Sequence, residues 1–167
     1  MSTTEPQVQI RPMTFSDLHA MVSIDQKIRM TGTPVPYKEF ATHRIFGMNV
    51  EEIGPTNRAD MLEAAKLIDL SSVAESEGTV CGFIVGRQTY IAEDDIQVGE
   101  IAMIGVHPDY RGKGISIKLI DSLCDLFRSK NMHLIRVEAD PRDKSLVALL
   151  EQSGFSDSHL VTYEKRL

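Results

Sequence analysis

The apolar positions fall into two periodicities along the chain. From residue 8 to 11 a short alternating run predicts a first strand. Leu18, Met21, Val22, Ile24 and Ile28 then recur at helical spacing. Thr14 and Asp17, three residues apart, supply the capping-box pattern before them. The Thr-Gly-Thr-Pro-Val-Pro stretch at 31–36 ends that helix, a second helix is predicted over 37–46, and 47–57 is rich in turn formers. Met61, Leu62, Ala65 and Ile68 give 59–68 a helical face.

A β-rich block follows. Strands are predicted over 70–75, 79–90 and 97–106, separated by Glu77-Gly78 and the charged Glu93-Asp94-Asp95 loop, and this spacing suggests consecutive antiparallel hairpins. Residues 115–128 then form an amphipathic helix carrying Ile117, Ile120, Leu123, Cys124 and Phe127. A strand is expected at 133–138, a turn at Asp140-Pro141, and a helix at 144–152 capped by Asp143 and closed by Gly154 as its C′ residue. Phe155 and residues 161–163 make a last strand region. The order β-α-α-(α)-β-β-β-α-β-α-β implies one domain over 1–167, an α/β (α+β) fold with a mixed sheet covered by helices.

Composition narrows the partners. The 167 residues include 42% apolar and 25% charged positions, ordinary for a soluble globular chain. A net charge of −6 argues against a nucleic-acid binder and mildly favours a cationic acceptor. No apolar run approaches a membrane span, and the first six residues lack a basic, apolar, cleavable pattern. A cytoplasmic location with no membrane partner is therefore expected. Cys81 and Cys124 fit core packing better than a metal pair or a disulfide framework. His19, His43, His107, His133 and His159 are scattered without ligand spacing, so no metal site is expected.

The chemistry concentrates in one stretch, Val106-His107-Pro108-Asp109-Tyr110-Arg111-Gly112-Lys113-Gly114-Ile115-Ser116, between a predicted strand and a predicted helix. Two glycines there allow positive φ and a close ligand approach. Successive N–H groups in such a turn, with the helix N-terminus behind them, suit a phosphate or pyrophosphate. Arg111 and Lys113 add positive charge. The spacing is neither a Walker loop nor a dinucleotide fingerprint.

Arg111-Gly112-Lys113-Gly114-Ile115-Ser116 resembles the Arg/Gln-x-x-Gly-x-Gly/Ala signature of the GNAT superfamily, the N-acetyltransferases that use acetyl-CoA, with Ser116 at the last position in place of Gly or Ala. The resemblance implies a GNAT-like acyl-CoA N-acyltransferase fold with a central, mostly antiparallel sheet. It places acetyl-CoA along Ile104, Gly105 and Val106 and around Arg111, Gly112, Lys113, Gly114, Ile115 and Ser116, with help from the late helix near Asp143. Gly105 is expected to mark a bulge that frees backbone groups for the pantetheine arm, where this strand splays from 133–138. The acceptor is an amine: a protein lysine, a protein N-terminus or a small molecule. Homodimers, common for this fold, are among its expectations.

Glu100 lies six residues before Val106 on the same strand. In a regular strand Glu100, Ala102, Ile104 and Val106 share a face. An acid at this spacing resembles the catalytic base of the histone-type lysine acetyltransferases of the superfamily. A base is useful because a lysine amine, with pKa near ~10.4, is neutral only about once in a thousand at neutral pH. On the late helix, Glu151, Gly154 and Phe155 match the family's Asn-x-x-Ala-x-x-x-Tyr-Glu-x-x-Gly-Phe, but Asp143 stands at the Asn and Leu150 at the Tyr that often protonates the departing thiolate. Leu150 leaves a second reading open, a non-catalytic acyl-CoA-binding sensor or interaction module. Tyr163 and Ser145 are candidates to replace the missing donor.

Overall fold

The computed structural model describes residues 7–30, 64–91, 96–139, 141–159, 163 and 165. The helix expected at 37–46, the flanking stretches 31–36 and 47–57, the start of the 59–68 helix, the Glu93-Asp94-Asp95 loop and residues 161–162 lie outside the described residues.

Among the described residues, five strands form one sheet in sequence order: β1 (Val8–Pro12), β2 (Ser71–Ser76), β3 (Thr79–Ile91), β4 (Ile96–Val106) and β5 (Ile135–Arg136). The first four pair antiparallel, and β5 joins β4 parallel. Among the described residues, the helices α1 (Leu18–Met30), α2 (Ile115–Ser129) and α3 (Lys144–Gln152) accompany them. The predicted hairpins and all three of these helices stand where the periodicity put them.

The alternation of side chains along the central strands builds two cores. Val73, Phe83 and Val85 meet Leu18, Met21 and Ile24 of α1 on one face. Ala74, Ile84 and Ile101 meet Ile115, Leu119, Ile120, Leu123 and Phe127 of α2 on the other. Glycines let α2 lie close. A β-carbon at Gly99 would sit 2.3 Å from the Phe127 ring, and one at Gly86 would sit 2.7 Å from Leu123 Cδ1. This close approach sets the α2 N-terminus directly beyond the end of β4.

The start of α1 is held by charge. The Asp17 carboxylate accepts hydrogen bonds from the Thr14 N–H and hydroxyl, both at 2.8 Å, in the expected capping pattern, although a 3-10 turn (Phe15–Asp17) precedes the α-helix. Arg11 reaches Asp17 at 2.8 Å and Glu75 at 2.7 Å, tying β1, β2 and this turn together. The guanidinium is the main reason that the nearly buried Asp17 titrates at about 2.

The strand expected over 133–138 reduces to Ile135–Arg136, because only Gly99 and Glu100 of β4 pair with it. The final strand does not begin at Phe155: residues 155–159 have no regular structure. The bulge is not at Gly105. Val85 pairs with Met103 and Gly86 with Ile101, so Ala102 is the extra residue of β4. Gly105 serves packing instead, since a β-carbon there would lie 2.7 Å from the Phe83 ring.

The bulge also breaks the expected face. Ala102 and Met103 both pack toward the α1 core, whereas Ile101, Ile104 and Val106 belong to the α2 core. Glu100 therefore does not share a face with Ile104 and Val106.

Candidate active site

Beyond Val106 the chain makes a 3-10 turn (Pro108–Tyr110) and then the two-glycine loop. His107 organises the entry. Its Nδ1 accepts the Asp109 N–H at 3.1 Å, its Nε2 lies 2.8 Å from Lys27 Nζ of α1, and its ring meets Tyr110 edge-on with centroids 5.7 Å apart. The Lys113 ammonium rests over the Tyr110 ring at 5.4 Å, and Arg111 is exposed.

Gly112 and Gly114 have φ of +77° and +68°, left-handed values that penalise a side chain, while nothing lies within 4 Å of a β-carbon at either. Glycine is required here by the backbone and not by crowding. Among the described residues, the backbone bonds of the loop run from Tyr110 to His107, from Arg111 to Pro108 and from Lys118 to Gly114. Among the described residues, the N–H groups from Gly112 to Ser116 have no backbone acceptor, and no side chain caps α2. A run of such donors at the positive end of a 15-residue helix has the electrostatics that suit an anion. Ile115 is buried and anchors the helix, and Ser116 is half-buried behind the loop.

The second element is the edge of β4. Gly99 N–H donates to Leu134 C=O at 2.9 Å, and Gly99 and Glu100 pair with Ile135 and Arg136. Past Glu100, no described strand covers this side of β4. The stretch containing Ile104, Gly105 and Val106 thus lies on the part of β4 that no described strand covers, between Glu100 and the two-glycine loop, where an extended chain could pair with its backbone.

Glu100 stands where this opening begins. It is half-buried, and its Oε1 accepts a hydrogen bond from Arg87 Nη2 directly across on β3. Arg87 was not foreseen, because only the register brings it opposite. Asp143 accepts the Leu146 N–H at 3.1 Å, so its carboxylate caps α3 as expected. Leu150 is buried in the core and supplies no proton donor. Neither candidate replacement is near-buried: Tyr163 is 92% exposed and Ser145 is exposed. Burial is the main influence raising both thiols, Cys81 and Cys124, which suits packing more than nucleophilic work. No helix among the described residues is long and apolar enough to cross a membrane.

The sequence and the fold have counterparts among known proteins. Residues 42–155 fit the family model described as "Acetyltransferase (GNAT) family". A mycothiol acetyltransferase of Propionibacterium freudenreichii subsp. shermanii is 30% identical over 111 residues, which is 65% of this chain and 33% of that protein. An acetyltransferase of Pectobacterium atrosepticum is 28% identical over 99 residues, 59% of this chain and 66% of that protein. The alignments thus span about a third of the first relative's length and just under two thirds of the second's. Among solved structures, a predicted acetyltransferase of Clostridium acetobutylicum with acetyl-CoA aligns with TM-score 0.69 at 15% identity, covering 95% of this chain and 96% of that one. A ribosomal-protein-alanine N-acetyltransferase of Brucella melitensis biovar Abortus 2308 aligns with TM-score 0.65 at 20% identity, covering 96% of this chain and 99% of that one. These likenesses establish the fold, and with the match over 42–155 the chain belongs to the acetyltransferase (GNAT) family.

Proposed function

We propose that this protein transfers an acetyl group from acetyl-CoA to a primary amine on a protein or a small molecule. The observation that carries this reading is the run of unpaired N–H groups from Gly112 to Ser116 at the uncapped start of α2, next to the open edge of β4. The loop suits the pyrophosphate, with Arg111 and Lys113 beside it. The backbone of Ile104, Gly105 and Val106 suits the pantetheine amides and offers a donor to the thioester oxygen as charge develops there. The start of α3, held by Asp143, is the proposed second contact with CoA.

Glu100 is the proposed base. An acceptor amine loses a proton to its carboxylate, directly or through water, and attacks the thioester carbonyl. The N–C bond forms as the C–S bond breaks, the electron pair leaves on sulfur, and the excess proton on the acylated nitrogen passes to water or to the departing thiolate. With Leu150 where a phenol is common, the thiolate departs without a tyrosine donor. A thiol of ordinary pKa near ~8.5 is a tolerable leaving group, and a missing general acid costs at most about 10²–10⁴-fold. Glu100→Gln is expected to lower kcat about 10²-fold or more while leaving the acetyl-CoA Kd within about threefold. Steady-state thiol release and calorimetric titration on the same preparation check this, and an unchanged kcat removes Glu100 from the mechanism.

Leu150 favours one other reading, a module that binds acyl-CoA without turning it over. Binding by calorimetry with no acetylated product from lysine peptides, N-terminal peptides or small amines would favour it.

A further inference from the structure

Three charged residues form a row across the sheet. Arg87 on β3 is the register partner of Glu100 on β4, and Arg136 on β5 is its partner on the other side. Direct cross-strand partners project from the same face. The packing identifies that face. β-carbons at Gly86 and Gly99 would run into α2 side chains, and Ile135 packs with the α2 core. Their neighbours Arg87, Glu100 and Arg136 therefore occupy the opposite face. The row holds two guanidiniums and one carboxylate.

Its position matters as much as its charge. Glu100 and Arg136 are the last pair joining β4 to β5, so the gap between the strands opens at the next residue. Arg87 is engaged with Glu100, while Arg136 is exposed, one strand away at about 4.8 Å spacing. An amine brought to Glu100 thus has a guanidinium beside it. The chain's net charge of −6 suggests a cationic partner, but screening limits that distant charge to roughly 8–10 Å, and the groups at the opening decide.

We infer that the acceptor carries an anionic group, a carboxylate, close to its amine, held by Arg136 while the amine meets Glu100, and that polycationic amines are poor acceptors. This rests on Glu100 being the base, as proposed above. Neutralising such a charge-assisted contact typically changes binding about tenfold or more.

The test compares acceptors matched except for one carboxylate. These are peptides with Glu or Gln beside the reacting residue, in N-terminal-amine and lysine versions, and a free α-amino acid against its amide, with spermidine as the polycation. The ratio of kcat/KM, acidic over neutral, is expected at about ten or above in the native protein and near one in Arg136→Gln, and R136E should favour the neutral member. A general loss of fold lowers both rates and leaves the ratio, so the ratio reports selection. A native ratio near one, a ratio that R136Q leaves unchanged, spermidine as the best acceptor, or an R136Q effect confined to the KM for acetyl-CoA overturns the inference. Glu100→Gln separates the two readings. If it spares kcat while the ratio persists, the base assignment fails and the anion contact stands. If no acceptor turns over although acetyl-CoA binds, both fall.

Discussion

The Arg11–Asp17–Glu75 cluster allows a quantitative prediction. Asp17 titrates at about 2, against an ordinary 3.8, and its side chain is only 7% exposed. That difference corresponds to about 2 kcal/mol of folding stability at neutral pH. Arg11 is 36% exposed, so solvent screening lowers the expectation to about 1–2 kcal/mol. The sign follows from the depressed value. The stabilisation is fully present above the unfolded value near 3.8 and is lost as pH falls through about 2. Asp17→Asn keeps the shape of the cap but removes the charge. Urea denaturation should show D17N less stable than the native protein by about 1–2 kcal/mol at pH 7, and by roughly half of that at pH 3, where part of the native contribution has already gone. An equal gap at both pH values, or no gap at pH 7, would refute the electrostatic account and leave Asp17 a simple cap.

Two substitutions test the glycines for different reasons. Gly114→Ala meets open space but a φ of +68°, so it should cost about 1–2 kcal/mol of backbone strain and weaken acetyl-CoA binding about 5- to 30-fold in calorimetry, with the circular dichroism spectrum retained. Gly99→Ala places a β-carbon 2.3 Å from the Phe127 ring and should lower stability by about 1–3 kcal/mol in urea. Phe127→Leu in the same chain should recover part of that loss, and no recovery would mean that the clash is not the cause.

The sequence made the scaffold legible because periodicity reports burial. The amphipathic stripes of α2 and α3, the apolar alternation of β2 to β4 and the Thr14–Asp17 spacing all mark local preferences that the tertiary fold preserves. The two-glycine turn was legible for a similar reason, since positive φ excludes most other residues. What failed depends on partners distant in the chain. Gly105 looked like a bulge, but its missing side chain makes room for Phe83, and the bulge fell at Ala102, which carries no local signal. The stretch 133–138 alternates apolar and polar residues from Ile135 on, yet pairing with β4 selects two residues of it. Arg87 and Arg136 are ordinary strand residues until register sets one on each side of Glu100. His107 shows no ligand spacing in the sequence, and only the fold brings its ring to Lys27 on α1.

The proposed reaction is acetyl transfer to an amine at the opening beyond Glu100. Amine-dependent free-thiol release from acetyl-CoA, with the product identified by mass, tests it most directly. The expected result is release that depends on an added amine, with a product heavier by one acetyl group on that amine. Acetyl-CoA bound in the same sample, with no thiol released for any lysine peptide, N-terminal peptide or small amine, would contradict it and leave a module that binds CoA without chemistry.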